Sequence, residues 1–579
     1  MRTFYAIFAA LALATPAWGK TDIPEHARWA ATAQRIEITR DDWGIAHVHG
    51  TTDADAVFGM IYAQAEDDFN RIETNYLVAL GRLAEAEGEK AIWQDLRQRL
   101  YIDPATLRQH YAASPAWLRS LMQGWADGLN YYLLTHPNVR PRVIRHFEPW
   151  MALAFSEGSI GGDIERISVG QLAAFYGRKQ LALKEEDPRA YQEPKGSNGI
   201  AIAPSRTKDG HALLLINPHT SFFFRSEQQV SSDEGLNVYG AATWGQFFIY
   251  QGFNAHAGWM HTTSGVDSVD EFSETIVERG GKRFYRYGRA LRPLTVKPIT
   301  LSYRLPGGAL ATRRFTTFAT HHGPITRAAN GKWIALALMN TPVAALEQSF
   351  LRTKASDLPA FLKVAERRAN SSNNTLFADD KGEIAFLVPQ FVPKRNDRFD
   401  YTRPVDGSDP ATDWQGLHAI DTLPKVTTPP VPGYQGLSAI RTAALLTANT
   451  GGVIMASGTG QLRAVSVSSD GQSLSELRTL VGPINAGSLL VRDLNGDGVR
   501  DLLLGSGQGF YWLAGNADLS FQSNQPLHPG VIAGASIALG ELDQSGRPDL
   551  VGVNTQNNQV AVLRDAGTLY SEIPVGAAT

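Results

Sequence analysis

The sequence predicts an α+β body followed by an all-β repeat tail. Three observations carry this reading. Apolar residues recur at helical spacing through roughly the first 190 residues. Short β-branched and aromatic runs, broken by Gly, Pro, Asn and Asp, fill residues 196–430. Beyond a proline-rich break, the chain turns to strands, glycines and polar turns with almost no helical period. Helices first and strands second suggest helices packed over antiparallel sheets. The 579 residues, 43% hydrophobic and 19% charged, suffice to bury a large core. Lys and Arg number 54 against 57 Asp and Glu, a net charge of −3 without long runs of one sign. That balance excludes the footprint of a nucleic-acid binder and a polybasic membrane anchor. Cysteine is absent, which removes disulfides, thiolate metal sites and cysteine nucleophiles. A nucleophile must then be Ser, Thr, Lys or a carboxylate, and a metal must be held by His or oxygen.

Taken in order, residues 1–19 carry Arg2, an apolar run from Phe4 to Ala14, Pro16, and then Ala17-Trp-Gly19 before Lys20. This reads as an export signal cut before Lys20, because the run is too short to cross about 30 Å of hydrocarbon. No other stretch approaches 18 consecutive apolar residues, so no membrane span is expected, and the mature protein is expected to be periplasmic or secreted. Ile36–Arg40 alternates like a strand, Asp41-Asp-Trp-Gly44 is a turn, and Asp53 to Glu73 has helical spacing. Further helices are predicted near 105–135, 166–186 and 357–369. Strands are predicted at 200–203, 212–216, 247–250, 315–319, 333–338 and 384–388. Phe222, Phe223, Phe224, Trp244, Phe247 and Phe248 read as sheet core, with the lining of an acyl pocket as the alternative.

Pro424, Pro429, Pro430, Pro432 and Gly433 form the best linker. In the tail, residues 491–504 are echoed 48 residues later by 539–551, a propeller-like or array-like period. The first copy places Asp493, Asn495, Asp497 and Asp501 as oxygen ligands of a tight calcium loop, without the final Glu or helical flanks of an EF-hand, with an Asx-rich turn as the alternative. The second copy, with Glu541, Asp543, Ser545 and Asp549, loses a carboxylate, and no metal is expected there. Both copies resemble FG-GAP (VCBS) repeats, with a third, degenerate copy near 440–475.

The body holds no HExxH, G-x-S-x-G, Walker loop or G-x-G-x-x-G. One serine stands out where the helical half yields to strands: Ser197, in Glu193-Pro-Lys-Gly-Ser-Asn-Gly199. By itself Gly-Ser-Asn-Gly is a turn. If the 196–197 bond is cut, however, Ser197 carries both a hydroxyl and an α-amine that titrates near pH 8, about 7.7–8.0. One residue then supplies nucleophile and general base, and no triad is needed.

Several motifs occur in order around that serine: Arg40-Asp-Asp-Trp-Gly-Ile-Ala-His-Val-His-Gly50, Ala63-Gln-Ala-Glu-Asp-Asp68, Gly81-Arg-Leu-Ala-Glu85, Gly196-Ser-Asn198 and Asn217-Pro-His219. Gly252-Phe-Asn254, Thr262-Thr-Ser-Gly-Val-Asp-Ser-Val-Asp270, His322-Gly-Pro-Ile325, Asn374-Thr-Leu-Phe-Ala-Asp379 and Asp413-Trp-Gln-Gly-Leu417 continue the series. Over roughly residues 33–432 the chain resembles the penicillin acylase family of N-terminal-nucleophile hydrolases. The resemblance implies a four-layer αββα sandwich and a precursor that cuts itself before Ser197. It divides the chain into a signal (1–19), a helical α-chain region (20–196), a β-chain nucleophile region (197–432) and β-repeats (433–579).

The resemblance also assigns roles. Ser197 is the nucleophile, Asn374 and the backbone N–H of Thr263 are oxyanion donors, His219 contacts the serine or the oxyanion, and Arg395 stands near the serine amine. His219 also has an alternative as a structural histidine after Pro218. Asp267, the Val269 carbonyl and Asp270 match a structural calcium segment, joined by Glu165 with Asp163 as an alternative. The implied activity is hydrolysis of a small linear amide, such as a β-lactam side chain or an N-acyl homoserine lactone, by a heterodimer of the two cut chains, with no organic cofactor. Family members continue well past the Asp413-Trp-Gln-Gly region, whereas here the resemblance stops near Pro432. An inactive acylase relative fused to calcium-binding repeats, serving as a surface binding or adhesion module, is therefore the alternative.

Overall fold

The computed structural model describes residues 23–156, 162–177, 197–204, 207–220, 223–370 and 373–427, and beyond them chiefly a series of strands between 437 and 574. The signal segment and residues 178–196 lie outside the described residues. The chain divides into two compact units, Met1–Thr428 and Pro429–Thr579.

The first unit opens with α1 (Ile23–Ala33), β1 (Ile36–Arg40), β2 (Ala46–Gly50), α2 (Asp53–Ala79), α3 (Ala84–Glu87), α4 (Ile92–Arg99), α5 (Pro104–Ala113), α6 (Ala116–Thr135) and α7 (Val169–Tyr176). Strands follow: β3 (Ser197–Ile202), β4 (Leu213–Pro218), β5 (Arg225–Ser232), β6 (Asn237–Thr243), β7 (Gln251–Asn254), β8 (Ala257–Thr263) and β9 (Asp270–Glu274). Then come β10 (Ile276–Arg279), β11 (Lys282–Tyr287), β12 (Ala290–Pro293), β13 (Thr295–Arg304), β14 (Leu310–Ala319), β15 (Ile325–Ala329) and β16 (Lys332–Ala337). The unit closes with α8 (Pro342–Leu351), α9 (Leu358–Ala365), β17 (Asn373–Asp379), β18 (Ile384–Leu387), β19 (Val405–Asp406) and β20 (Lys425–Thr427).

Helix α2 begins in a capping box. The Thr52 side chain accepts the Asp55 N–H, and the Asp55 carboxylate accepts the Thr52 N–H, so two orphan donors are satisfied reciprocally. Its apolar stripe packs on α6, and two glycines permit the approach. A Cβ at Gly124 would stand 2.4 Å from the Ala54 carbonyl oxygen, and one at Gly128 would stand 2.6 Å from the Phe58 carbonyl oxygen. Buried carboxylates then organise the connecting loops. Glu73 accepts three backbone N–H groups, from Arg142, Val143 and Ile144, and Asp95 accepts those of Leu83 and Ala84.

A nine-stranded sheet, in order β1-β2-β5-β6-β7-β8-β17-β18-β20, forms the centre. Helices cover one face, where Trp125, Trp259, Phe247 and Phe377 share one core with the α2 stripe. Hairpin β3–β4 lies against the other face, over β8 and β17. A Cβ at Gly199 would meet Met260 Sδ at 2.2 Å, and one at Gly258 would meet Leu214 Cδ2 at 2.8 Å, so both glycines serve this contact. The α+β architecture is present. Of the four layers the resemblance implies, the described residues supply the helices, the large sheet and this one hairpin.

Two expectations need correction. Residues 247–250, read as a strand, are irregular. Gly245 turns the chain at φ +97°, and its carbonyl takes hydrogen bonds from Tyr76 Oη and Trp125 Nε1, which pulls the following aromatics under the helices. Phe247 and Phe248 are consequently core residues, Phe223 is exposed, and Phe222 lies outside the described residues. Helix α8 had no counterpart in the sequence reading; Pro342 at its first turn starts it.

Among the described residues, the second unit contains three four-stranded antiparallel sheets, each in chain order. They comprise strands at residues 437–481, 486–526 and 533–574. No helix among the described residues is long and apolar enough to cross a membrane.

Candidate active site

Ser197 is the first residue of β3 and pairs with Pro218 across the hairpin. That register places His219 beside it, and the His219 backbone N–H points at Ser197 Oγ, 3.4 Å away. The imidazole serves elsewhere: its Nε2 lies 3.1 Å from Asn198 Nδ2 and 3.2 Å from Asn217 Oδ1. Thr262 Oγ1 donates to the Ser197 carbonyl at 3.2 Å, which ties the hairpin end to β8.

Thr262 is paired with Asn374, and Thr263 with Asn373, in the β8–β17 ladder. The period of two puts Asn374 and Thr262 on the hairpin side of the sheet, while His261 and Thr375 face the helices. Asn374 Oδ1 accepts a hydrogen bond from Gln390 Nε2 at 2.8 Å, and Gln390 is fully buried. This bond fixes the amide with its Nδ2 end as the donor. Ser197, His219, Thr262, Thr263 and Asn374 therefore occupy one region. Gln390 was not singled out in the sequence, because a buried glutamine after Val388-Pro389 carries no local signal.

Arg395 has other partners. Its Nε and Nη2 donate to the Asp270 carboxylate at 2.7 and 3.0 Å, and Nη2 also reaches the Asp267 carbonyl at 2.8 Å. Trp414 Nε1 takes a further place on Asp270 at 2.5 Å. Burial raises the Asp270 carboxyl above its ordinary range, against the lowering pull of Arg395 and Trp414. Two of the residues expected around calcium, Asp267 and Asp270, thus already meet a guanidinium, and Glu165 is exposed on a short 3₁₀ turn. As arranged, this donor set does not fit a calcium ion, because Asp270 is taken by N–H donors and the local positive charge is already supplied. Val269 packs against the main core. Asp163 lies 3.4 Å from Ser268 Oγ and pairs with Arg166.

In the tail, Asp497 Oδ1 accepts the Val499 N–H at 2.7 Å, and buried Asp501 accepts the Gly515 N–H at 2.9 Å. Asp493 and Asn495 lie outside the described residues.

A serine leading a strand, in one region with an asparagine amide held by a buried glutamine and against a helix-backed mixed sheet, defines the candidate site of this α+β protein. A family model described as penicillin amidase matches residues 35–439, and one described as an FG-GAP-like repeat matches residues 493–552. The chain belongs to the penicillin amidase family. It is 26% identical over 403 residues to acyl-homoserine lactone acylase PvdQ of Pseudomonas putida, covering 63% of this chain and 51% of that protein. It is 25% identical over 457 residues to penicillin acylase 2 proenzyme of Pseudomonas sp. (strain SE83), covering 68% and 57%. Among solved structures, the thermostable penicillin G acylase from Alcaligenes faecalis aligns with a TM-score of 0.36 at 21% identity, over 44% of this chain and 47% of that one. The chain spans about half the length of the curated relatives it matches.

Proposed function

We propose that this protein is an exported amidohydrolase that cuts itself before Ser197 and then hydrolyses a linear amide. The supporting observation is the placement of Ser197 at the head of β3, with the His219 N–H at its hydroxyl and the Asn374 amide held by Gln390 beside it. In maturation, Ser197 Oγ adds to the carbonyl of residue 196, the amide C–N bond breaks, and the released α-amine takes the proton. Water then hydrolyses the ester. In turnover that amine accepts the Oγ proton as the serine attacks the substrate carbonyl, and returns it to the leaving amine; water then cleaves the acyl-serine ester, releasing the acid and restoring the Ser197 hydroxyl. Asn374 Nδ2 and the Thr263 backbone N–H are the donors proposed for the tetrahedral oxyanion. The names of the relatives suggest an N-acyl homoserine lactone or the side-chain amide of a β-lactam as substrate. The two products of the cut would remain together as a heterodimer in the periplasm or outside the cell.

SDS–PAGE and N-terminal sequencing of the expressed protein test this reading. Two chains are expected, one starting near Lys20 and the other at Ser197, and Ser197→Ala should leave one uncut chain without amidase activity. Persistence of a single uncut wild-type chain would instead support a non-catalytic acylase relative carrying repeats as a binding module. One observation favours that second reading: among the described residues β3–β4 pairs only with itself, and Ile200, Leu213 and Leu215 on it are half exposed.

A further inference from the structure

A second cluster of chemistry-bearing side chains lies on a different sheet, of order β15-β16-β9-β19. His321 and His322 occupy the turn between β14 and β15, and Asp413 lies on the loop after β19. His321 Nε2 and His322 Nε2 both face Asp413 Oδ1, at 3.5 and 2.9 Å. The three ligand atoms lie within 4.8 Å of one another.

Every other polar atom of the three side chains is held. His322 Nδ1 lies 2.7 Å from Oε1 of Glu274, a fully buried carboxylate. His321 Nδ1 lies 3.1 Å from Tyr285 Oη, and Asp413 Oδ2 accepts Tyr287 Oη–H at 2.5 Å. The His322 ring is fixed by stacking on Phe272, with centroids 3.9 Å apart and planes 4° from parallel.

With its proton on Nδ1, each imidazole is anchored from outside, His322 on the Glu274 carboxylate and His321 on the Tyr285 oxygen, and its Nε2 lone pair is then open to a cation shared with Asp413 Oδ1. Two imidazoles, each anchored through Nδ1, converging with one carboxylate form a nitrogen-rich donor set for a borderline divalent ion such as Zn²⁺. Ligand atoms about 2.0–2.1 Å from a tetrahedral ion stand roughly 3.3 Å apart, between the two N···O distances above. The His321 and Asp413 side chains are each about 30% exposed, which leaves an open side for entry and for water as a fourth ligand.

The geometry points to a structural divalent transition-metal site formed by His321, His322 and Asp413. Bound metal would clip the 406–418 loop to the turn between β14 and β15. That loop carries Trp414, the residue that donates to Asp270.

The test is Co²⁺ titration of the full chain after EDTA stripping and desalting. One equivalent of Co²⁺ should produce a visible d–d absorption that Zn²⁺ displaces. His321→Ala and Asp413→Asn should each abolish that band, while Tyr285→Phe, which touches no metal, should weaken Co²⁺ binding about 10–100-fold. Far-UV circular dichroism in EDTA should be unchanged in all three variants, so that loss of the band reports loss of ligands. If the wild-type chain gives no band, or if either ligand variant keeps it, the gap holds a proton shared between His322 and Asp413, and the proposal is overturned.

Discussion

The two faces of the nine-stranded sheet are built differently. The helical face is closely packed: Trp125, Trp259 and Phe377 are fully buried there, and Gln64 bridges helix and sheet by bonding the Gln246 carbonyl and the Gly245 N–H. The other face carries the β3–β4 hairpin, apolar on both of its sides. Leu214 packs inward against the sheet, while Ile200, Leu213 and Leu215 point outward, exposed by 56%, 51% and 50%. A strand apolar on both faces is the pattern of one buried on both. The difference teaches that stability and chemistry are divided between the faces, since the proposed nucleophile stands on the thinly covered one.

Substitutions can break or sharpen this contrast. The largest expected effect is Phe377→Ala, which empties a buried site on the helical face and should cost about 3–5 kcal/mol in chemical denaturation of the first unit. A loss below about 1 kcal/mol would mean that the core is not where the packing puts it. Next comes Asn374→Ala on the hairpin side. It should lower amide hydrolysis about 10²–10³-fold while shifting the denaturation midpoint little; an unchanged rate would remove Asn374 from the oxyanion role.

The third effect is a pH dependence on the helical side. Burial pushes the Asp95 carboxyl up to about 7, so the folded state holds its proton where the unfolded chain has released it. Stability from this group is therefore present at low pH and declines as pH rises from about 4 to 7, by roughly 2–4 kcal/mol. Asp95→Asn should flatten that slope in pH-dependent unfolding, and an unaltered slope would assign it to another group. The smallest effect is Leu215→Ser on the outer side of the hairpin. It should change stability by no more than about 0.5 kcal/mol, and a larger loss would mean that this side is covered in solution.

Much of the framework was legible in the chain. Helical spacing from Asp53 to Glu73 announces α2, alternation announces β1, and the absence of cysteine and of triad motifs directs attention to Ser197. Other features were not legible. Phe247–Tyr250 has strand composition, yet the turn at Gly245 and the hydrogen bonds from Tyr76 and Trp125 make it irregular core. Asp267 and Asp270 read as calcium ligands, yet a guanidinium 125 residues from Asp270 reaches them first. His321-His322 and Asp413 stand 91 residues apart in sequence for the closer pair, and no local pattern joins them.

By itself, the sequence determined what is local or additive: helix starts, strand alternation, the change to repeats near the proline-rich break, and the types of side chain available for catalysis. Tertiary structure alone decided which of those side chains meet. Partnership among buried charges depends on distance in space and on which donor arrives first in a low-dielectric interior, and neither is encoded by spacing along the chain.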